Sequence, residues 1–327
     1  MKKMLAVALL AAMMLSLCAP ALADVYKDAG FIKKIPMKPK YTEEVENKGT
    51  VEKITYTAHQ YVKEEGDEEF ELEKDLYVYL PYGYSSDKEY NVLYLMHGGG
   101  EQVGFWFGAG EYAKGGPRFN KAQATTAVNL IDNKIANGEC GELIVVTPTF
   151  NNNGTSNFKY ELRNDVIPAV EAKYATFAHK DVSSESLKAS RDHRAFAGFS
   201  AGSVTTIESA WNGNFDYFAY IGNLSGMDPY NTGLVETILA KMSEGGEYAD
   251  CKMKYWYNGD GTEDIAVEDH LRNYTKMLEL GGDLWQEGEH YENGDNCVMV
   301  NKPGKKHNHA NWMIDLYNML NVFFKVN

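Results

Sequence analysis

From Asn91 onward, short apolar runs alternate with amphipathic stretches, and this alternation restricts the fold more than any other feature. The runs "NVLYLMHG", "ELIVVTPTF", "HRAFAGF", "FDYFAYIGNLSG", "CKMKYWYNG" and "NCVMV" read as strands. Their nearly continuous apolar character suits strands covered on both faces. Between them, "KAQATTAVNLIDNKIANGE", "YELRNDVIPAVEAKY", "AGSVTTIESAWNG", "TGLVETILAKMSEGG", "VEDHLRNYTKMLELGG" and "ANWMIDLYNMLNVFFK" read as helices. In the first of these, Ala127, Leu130, Ile131 and Ile135 share one face. Pro168 is expected to kink the second or to start a new segment. Gly213 is expected to close the third. Strands alternating with helices imply an α/β fold with a mostly parallel central sheet and helices on both faces. Two earlier runs, "TVEKITYTAHQYV" and "FELEKDLYVYLP", flank the charged "KEEGDEE" and read as an antiparallel hairpin at the N-terminal edge of that sheet.

The chain divides into three parts. Lys2 and Lys3 precede an apolar stretch from Met4 to Leu17, and "APALAD" places Ala21 and Ala23 as small residues before a cut. Residues 1–23 therefore read as a signal peptide cleaved after Ala23, and the mature protein as secreted. The apolar run is short for a membrane anchor. Lipidation at Cys18 is disfavoured by the bulky Leu17 before it. Residues 24–49, rich in Lys, Pro and Glu, read as an extended leader over the surface. Residues 50–327 form one domain, with no repeat or low-complexity linker.

Without Lys2 and Lys3, 30 basic residues face 46 acidic ones, a formal charge of −16. A negative surface repels phosphate backbones, so nucleic acid is not an expected partner, and no later apolar run is long enough to span a membrane. Cys140, Cys251 and Cys297 survive processing. They allow at most one intramolecular disulfide, so a hydrophobic core must hold the fold; whether Cys251 and Cys297 pair is left open. No Cys/His spacing typical of a zinc site occurs, and no cofactor is called for.

The stretch "GFSAG" sets Ser200 between Gly198 and Gly202, after a strand and before a helix. This is the context of a nucleophile elbow, where the serine sits on a strained turn and small neighbours avoid collision. Taken alone the pattern also fits a helix cap. Acyl transfer at Ser200 needs two hydrogen-bond donors for an oxyanion. The Ala201 amide is one, and Gly99, in the glycine loop "YLMHGGGE", is the candidate for the second. His97 precedes the serine and reads as a residue that orients this loop. In an α/β-hydrolase fold the acid and then the histidine follow the serine. After "KMKYWYNG", Asp264 is the first candidate acid and Asp260 the second. "PGKKHNHANW" offers His307, with His309 as the alternative. Two histidines so close also suggest a metal, but no neighbouring carboxylate pattern supports one.

Together, "LYLMHGGGE", "ELRNDVIPAVEAKY", "RDHRAFAGFSAGS", "FAYIGNLSG", "GTEDIA" and "KKHNHANW" resemble the landmarks of carbohydrate esterase family one, over roughly residues 50–326. The family contains feruloyl esterases and acetyl xylan esterases. The resemblance implies Ser200 as nucleophile, Gly99 and Ala201 around the oxyanion hole, and Asp264 as the acid of a "GT-x-D" stretch. It favours His307, since the family histidine commonly has a tryptophan five positions later, here Trp312. The chain departs from the family in two respects: many members have methionine and then two glycines after the serine, where this chain has Ala201, Gly202 and Ser203, and its acid stretch carries the extra Asp260.

The resemblance implies a serine esterase acting on feruloylated or acetylated xylan oligosaccharides, with feruloyl (hydroxycinnamoyl) esters of arabinoxylan as the leading substrate. Trp106, in "VGFWFG", and Trp312 are the aromatic candidates to border the substrate; local packing is the competing reading of Trp106. A small-ester or thioester hydrolase and a non-hydrolytic glycan-binding relative are the further alternatives.

Overall fold

The structure is a computed structural model that describes residues 39–62, 71–110 and 126–325. The proposed signal peptide, residues 24–38 of the leader, the "KEEGDEE" tip and residues 121–125 of the first expected helix lie outside the described residues.

The expected hairpin is present as β1 (Thr50–His59) paired antiparallel with β2 (Glu71–Leu80). The remaining strands are β3 (Asn91–Met96), β4 (Leu143–Thr147), β5 (Arg194–Phe199), β6 (Tyr220–Leu224), β7 (Tyr255–Gly261) and β8 (Cys297–Lys302). They form one sheet in the order β1-β2-β4-β3-β5-β6-β7-β8, parallel from β4 to β8. Strands β4 to β8 are buried at every position, which is why they read as apolar runs rather than alternating ones.

Two hydrophobic clusters cover the sheet. On one face lie α1 (Thr126–Ala136), which contributes Leu130 and Ile131, and the C-terminal helix (His309–Met319), which contributes Met313 and Leu316. The other face is covered by residues such as Val166, Trp211, Ile238 and Leu271. They belong to α2 (residues 154–171), α4 (residues 201–214), α5 (Leu234–Met242) and α6 (Val267–Gly281); the C-terminal helix is α7. Helix α2 runs through Gly154–Glu161, a π-helical turn Leu162–Val166 and Ile167–Glu171. Pro168 stands in the first turn of the segment Ile167–Glu171, directly after the π-helical turn, so it starts a new segment at a position where a missing amide is tolerated. Helix α3 (Ser184–Ala189) has no counterpart among the sequence expectations; it is capped by the Ser183 side chain, which accepts from the Ser186 amide.

Helix α4 starts at Ala201, contains a π-helical turn Thr206–Trp211 and ends with Asn212–Asn214. Gly213 does not close it. A Cβ there would come within 2.7 Å of the Lys159 side chain, so the glycine admits α2. The described part of the leader is anchored at its start. Pro39–Thr42 forms a 3-10 turn, Tyr41 is buried against Tyr317, and Asn129 of α1 donates to the Thr42 carbonyl at 2.7 Å. Residues 39–42 are thus pinned to the fold.

Candidate active site

The ends of β3, β5, β6, β7 and β8 converge at one edge of the sheet, where an open α/β sheet presents its loops to a ligand. Ser200 alone joins β5 to α4, with φ 55° and ψ −123°. A side chain rarely adopts that backbone, and such strain persists only where surrounding contacts enforce it. The Ser200 amide donates to the Leu224 carbonyl at 3.0 Å, which ties the turn to the end of β6. The flanking glycines are there for space. A Cβ on Gly202 would lie 2.3 Å from the His97 carbonyl oxygen, and one on Gly198 would lie 2.5 Å from the Gly202 oxygen.

The turn lifts Ser200 Oγ to 2.9 Å from His307 Nε2, and His307 Nδ1 is 2.7 Å from Asp264 Oδ1. An ionised carboxylate only accepts, so Nδ1 carries the proton and Nε2 is free to accept from the serine hydroxyl. His307 stands on the loop after β8 and Asp264 on the loop after β7. The two loops are joined directly: the Glu263 amide donates to the Lys305 carbonyl at 3.0 Å, and the Gly304 amide to Thr262 Oγ1 at 2.8 Å.

Asp264 is buried. Burial alone would raise its pKa, but hydrogen bonds from His307, the Ala266 amide and Ser225 outweigh it and hold the carboxyl below its ordinary range. The distances are 3.0 Å from the Ala266 amide to Oδ1 and 2.8 Å from Ser225 Oγ to Oδ2. Asn311 Nδ2 lies 3.4 Å from the same Oδ2. Sequence reading does not single out Ser225 or Asn311. The only trace is a small polar residue at the end of "GNLSG", and its partner is 39 positions away.

The alternative assignments are placed elsewhere. Asp260 is fully buried and meets His270 Nδ1 at 3.0 Å, so it is engaged away from His307. His309 begins α7 and packs edge-on against Phe105, with burial pushing its pKa down to about 4. Neither tryptophan borders the substrate space as expected. Trp106 is fully buried, donates from Nε1 to the Met96 carbonyl at 3.1 Å and packs edge-on against Phe199. Its apolar ring is better satisfied in the core than at a wet rim. Trp312 stacks on Phe199 at 3.7 Å, meets the His307 ring edge-on at 5.3 Å, and donates to Ser225 Oγ at 2.8 Å. It is a support beneath the histidine. Cys140, Cys251 and Cys297 are all free thiols, which answers the open pairing question.

Gly99 and Ala201 face each other: a Cβ on Gly99 would lie 3.6 Å from the Ala201 Cβ. Ala201 is the first residue of α4, so its amide has no acceptor within the helix. His97 is buried and neutral, its pKa pushed down to about 4 mainly by burial. Its Nδ1 meets the Gly98 carbonyl and its Nε2 meets Thr149 Oγ1, both at 2.8 Å. The imidazole thus fixes the glycine loop, as its position in the sequence suggested.

Beside Ser200 and His307 opens a cleft of about 370 Å³ with Met227, Pro229, Tyr230 and Ile265 on its walls. Tyr230 and Ile265 are 82% and 85% exposed, which leaves apolar surface uncovered at the mouth. A hydroxyl aligned with an imidazole and a carboxylate, facing two backbone amides across a cleft, is equipped for acyl transfer.

Fold and site together define an α/β-hydrolase of the serine carboxylic ester hydrolase class. The family model described as Esterase matches residues 68–316, and the chain belongs to that family. Among solved structures it is similar to a serine-to-alanine variant of the feruloyl esterase module from Clostridium thermocellum, complexed with sinapinate. The TM-score is 0.75 and the identity 30%, over 90% of this chain and 95% of that one. A carbohydrate esterase family one ferulic acid esterase from Anaeromyces mucronatus, in complex with ferulic acid, shares the fold at TM-score 0.62 and 19% identity, over 90% and 99% of the two chains. A stretch of 155 residues is 45% identical to endo-1,4-beta-xylanase Y of Acetivibrio thermocellus, covering 47% of this chain but only 13% of that relative. The family-one resemblance read in the sequence agrees with these findings.

Proposed function

We propose that this esterase is secreted and releases ferulate or a related hydroxycinnamate from arabinoxylan through an acyl-enzyme. The observation that carries the proposal is the hydrogen-bonded line Asp264–His307–Ser200 opening on a cleft whose walls are largely apolar. A cleft of about 370 Å³ offers far more apolar surface than an acetyl group would cover. The feruloyl esterase module and the xylanase relative support the same substrate class.

In the proposed mechanism Ser200 Oγ attacks the ester carbonyl as its proton passes to His307 Nε2. Asp264 keeps the imidazole in its Nδ1–H tautomer and stabilises the imidazolium. The Gly99 and Ala201 amides receive the oxyanion, and losing one such donor typically costs about 2.7–4 kcal/mol of transition-state stabilisation. His307 returns the proton to the leaving sugar oxygen. It then takes a proton from water, whose oxygen attacks the acyl carbon, and returns that proton to Ser200 Oγ as the carboxylic acid leaves.

The test compares rates on methyl ferulate and on acetylated xylan, with Ser200→Ala as the blank. Faster turnover of methyl ferulate is expected. Hydrolysis of acetylated xylan alone would replace the proposal with an acetyl xylan esterase. Recovery of the chain in the culture medium, with Asp24 as the new N-terminus, is the expected outcome for secretion.

A further inference from the structure

A second cleft, of about 390 Å³, lies between the far parts of α2 and α4. The two clefts share both helices. Thr155 of α2 lines the cleft beside Ser200, and Lys159, one turn further on, lines the second. The helices are held together between the two: Ser209 donates to the Thr155 carbonyl, and Asn214 Nδ2 to the Lys159 carbonyl at 2.9 Å.

The lining is that of a saccharide site. Tyr160 offers an exposed ring, with Tyr61 beside it at 6.1 Å and 32°. Tyr61 is fixed by its hydroxyl, which donates to buried Asp165 at 2.6 Å, so the two rings form an oriented aromatic surface. Two of the three cations in the lining are paired. Lys241 is 3.0 Å from Glu247, and Arg163 makes a paired contact with Asp216 at 2.9 and 2.8 Å. Lys159 is the lining cation left to meet a ligand. A neutral ligand rich in hydroxyls finds an acceptor in Glu247, an aromatic ring in Tyr160 and a donor in Lys159, whose Nζ stands 5.0 Å from the centre of that ring.

We propose that this second cleft binds the unsubstituted sugar backbone of a xylan chain while the acyl group occupies the cleft beside Ser200. The idea rests on the reading of feruloylated xylan as substrate, but its test does not need ester hydrolysis. Titration of the intact protein with unsubstituted xylo-oligosaccharide, followed by NMR or calorimetry, should show saturable binding. Tyr160→Ala and Glu247→Ala should weaken it about three- to ten-fold, the scale of one aromatic contact or one hydrogen bond. On a feruloylated arabinoxylo-oligosaccharide the same variants should raise KM by a similar factor, with kcat/KM on methyl ferulate unchanged. Absence of binding to the unsubstituted oligosaccharide, or binding indifferent to both substitutions, overturns the second site. Failure of the wild type to hydrolyse any hydroxycinnamate ester, with that binding intact, overturns the substrate reading instead.

Discussion

The indole of Trp312 donates to Ser225 Oγ at 2.8 Å, and the same hydroxyl donates to Asp264 Oδ2 at 2.8 Å. The acid is therefore held by a relay that begins in α7. That helix starts two residues after His307, so one short segment carries the base and braces its partner.

Trp312→Phe keeps an aromatic ring on Phe199 but removes the donor to Ser225. The expected result is a two- to ten-fold fall in kcat with KM little changed, corresponding to about 0.5–1.5 kcal/mol for one hydrogen bond. Steady-state kinetics on methyl ferulate read the split. An unchanged kcat would mean that Ser225 holds Asp264 without the indole.

Asp264 and Asp260 are both buried carboxylates on the same stretch, and their substitution should separate cleanly. Asp264→Asn should lose activity by a factor on the order of 10³–10⁴, because the amide favours the wrong imidazole tautomer. Asp260→Asn leaves His307 untouched but disturbs the contact with His270. It should keep kcat/KM within about tenfold of wild type while losing about 1–3 kcal/mol of stability. Kinetics and denaturant unfolding on the same samples check both.

The depressed pKa of Asp264 has a consequence for acid stability. The unfolded chain binds this proton more readily than the folded one, so the contribution is complete above the ordinary carboxylate range. It is lost as pH falls through the lower, folded value. The Tm difference between wild type and Asp264→Asn should be widest above about pH 5 and should shrink as pH falls toward ~3. A difference that grows on acidification would contradict the hydrogen-bonded carboxylate.

Trp106→Ala tests where that ring belongs. A core position predicts a stability loss of about 3–5 kcal/mol. The KM of the remaining folded enzyme for methyl ferulate should be unchanged. A raised KM at full stability would return Trp106 to the substrate.

The strands and most helices were legible because their apolar periodicity reflects burial on both faces of one sheet. Ser200 was legible because the elbow demands small neighbours, and the steric limits at Gly198 and Gly202 are local. The supports were not. Ser225 and Asn311 depend on contacts between segments far apart in the chain, which leave no spacing to read. The π-helical turns were equally hidden. Leu162–Val166 and Thr206–Trp211 differ from ordinary helix by one added residue each, and the side-chain pattern hardly records it. Asp260 stood second to Asp264 in sequence but was not excluded there. What separates them is His270, ten residues further on, which turns toward Asp260.

The three separate thiols free this fold from any oxidant. Cys140 and Cys297 are enclosed, and burial pushes them up to about 11 and about 12, so little of either exists as the reactive thiolate near neutrality. Dithiothreitol has no bridge among them to break. The described domain can therefore be produced in the reducing cytosol of a heterologous host.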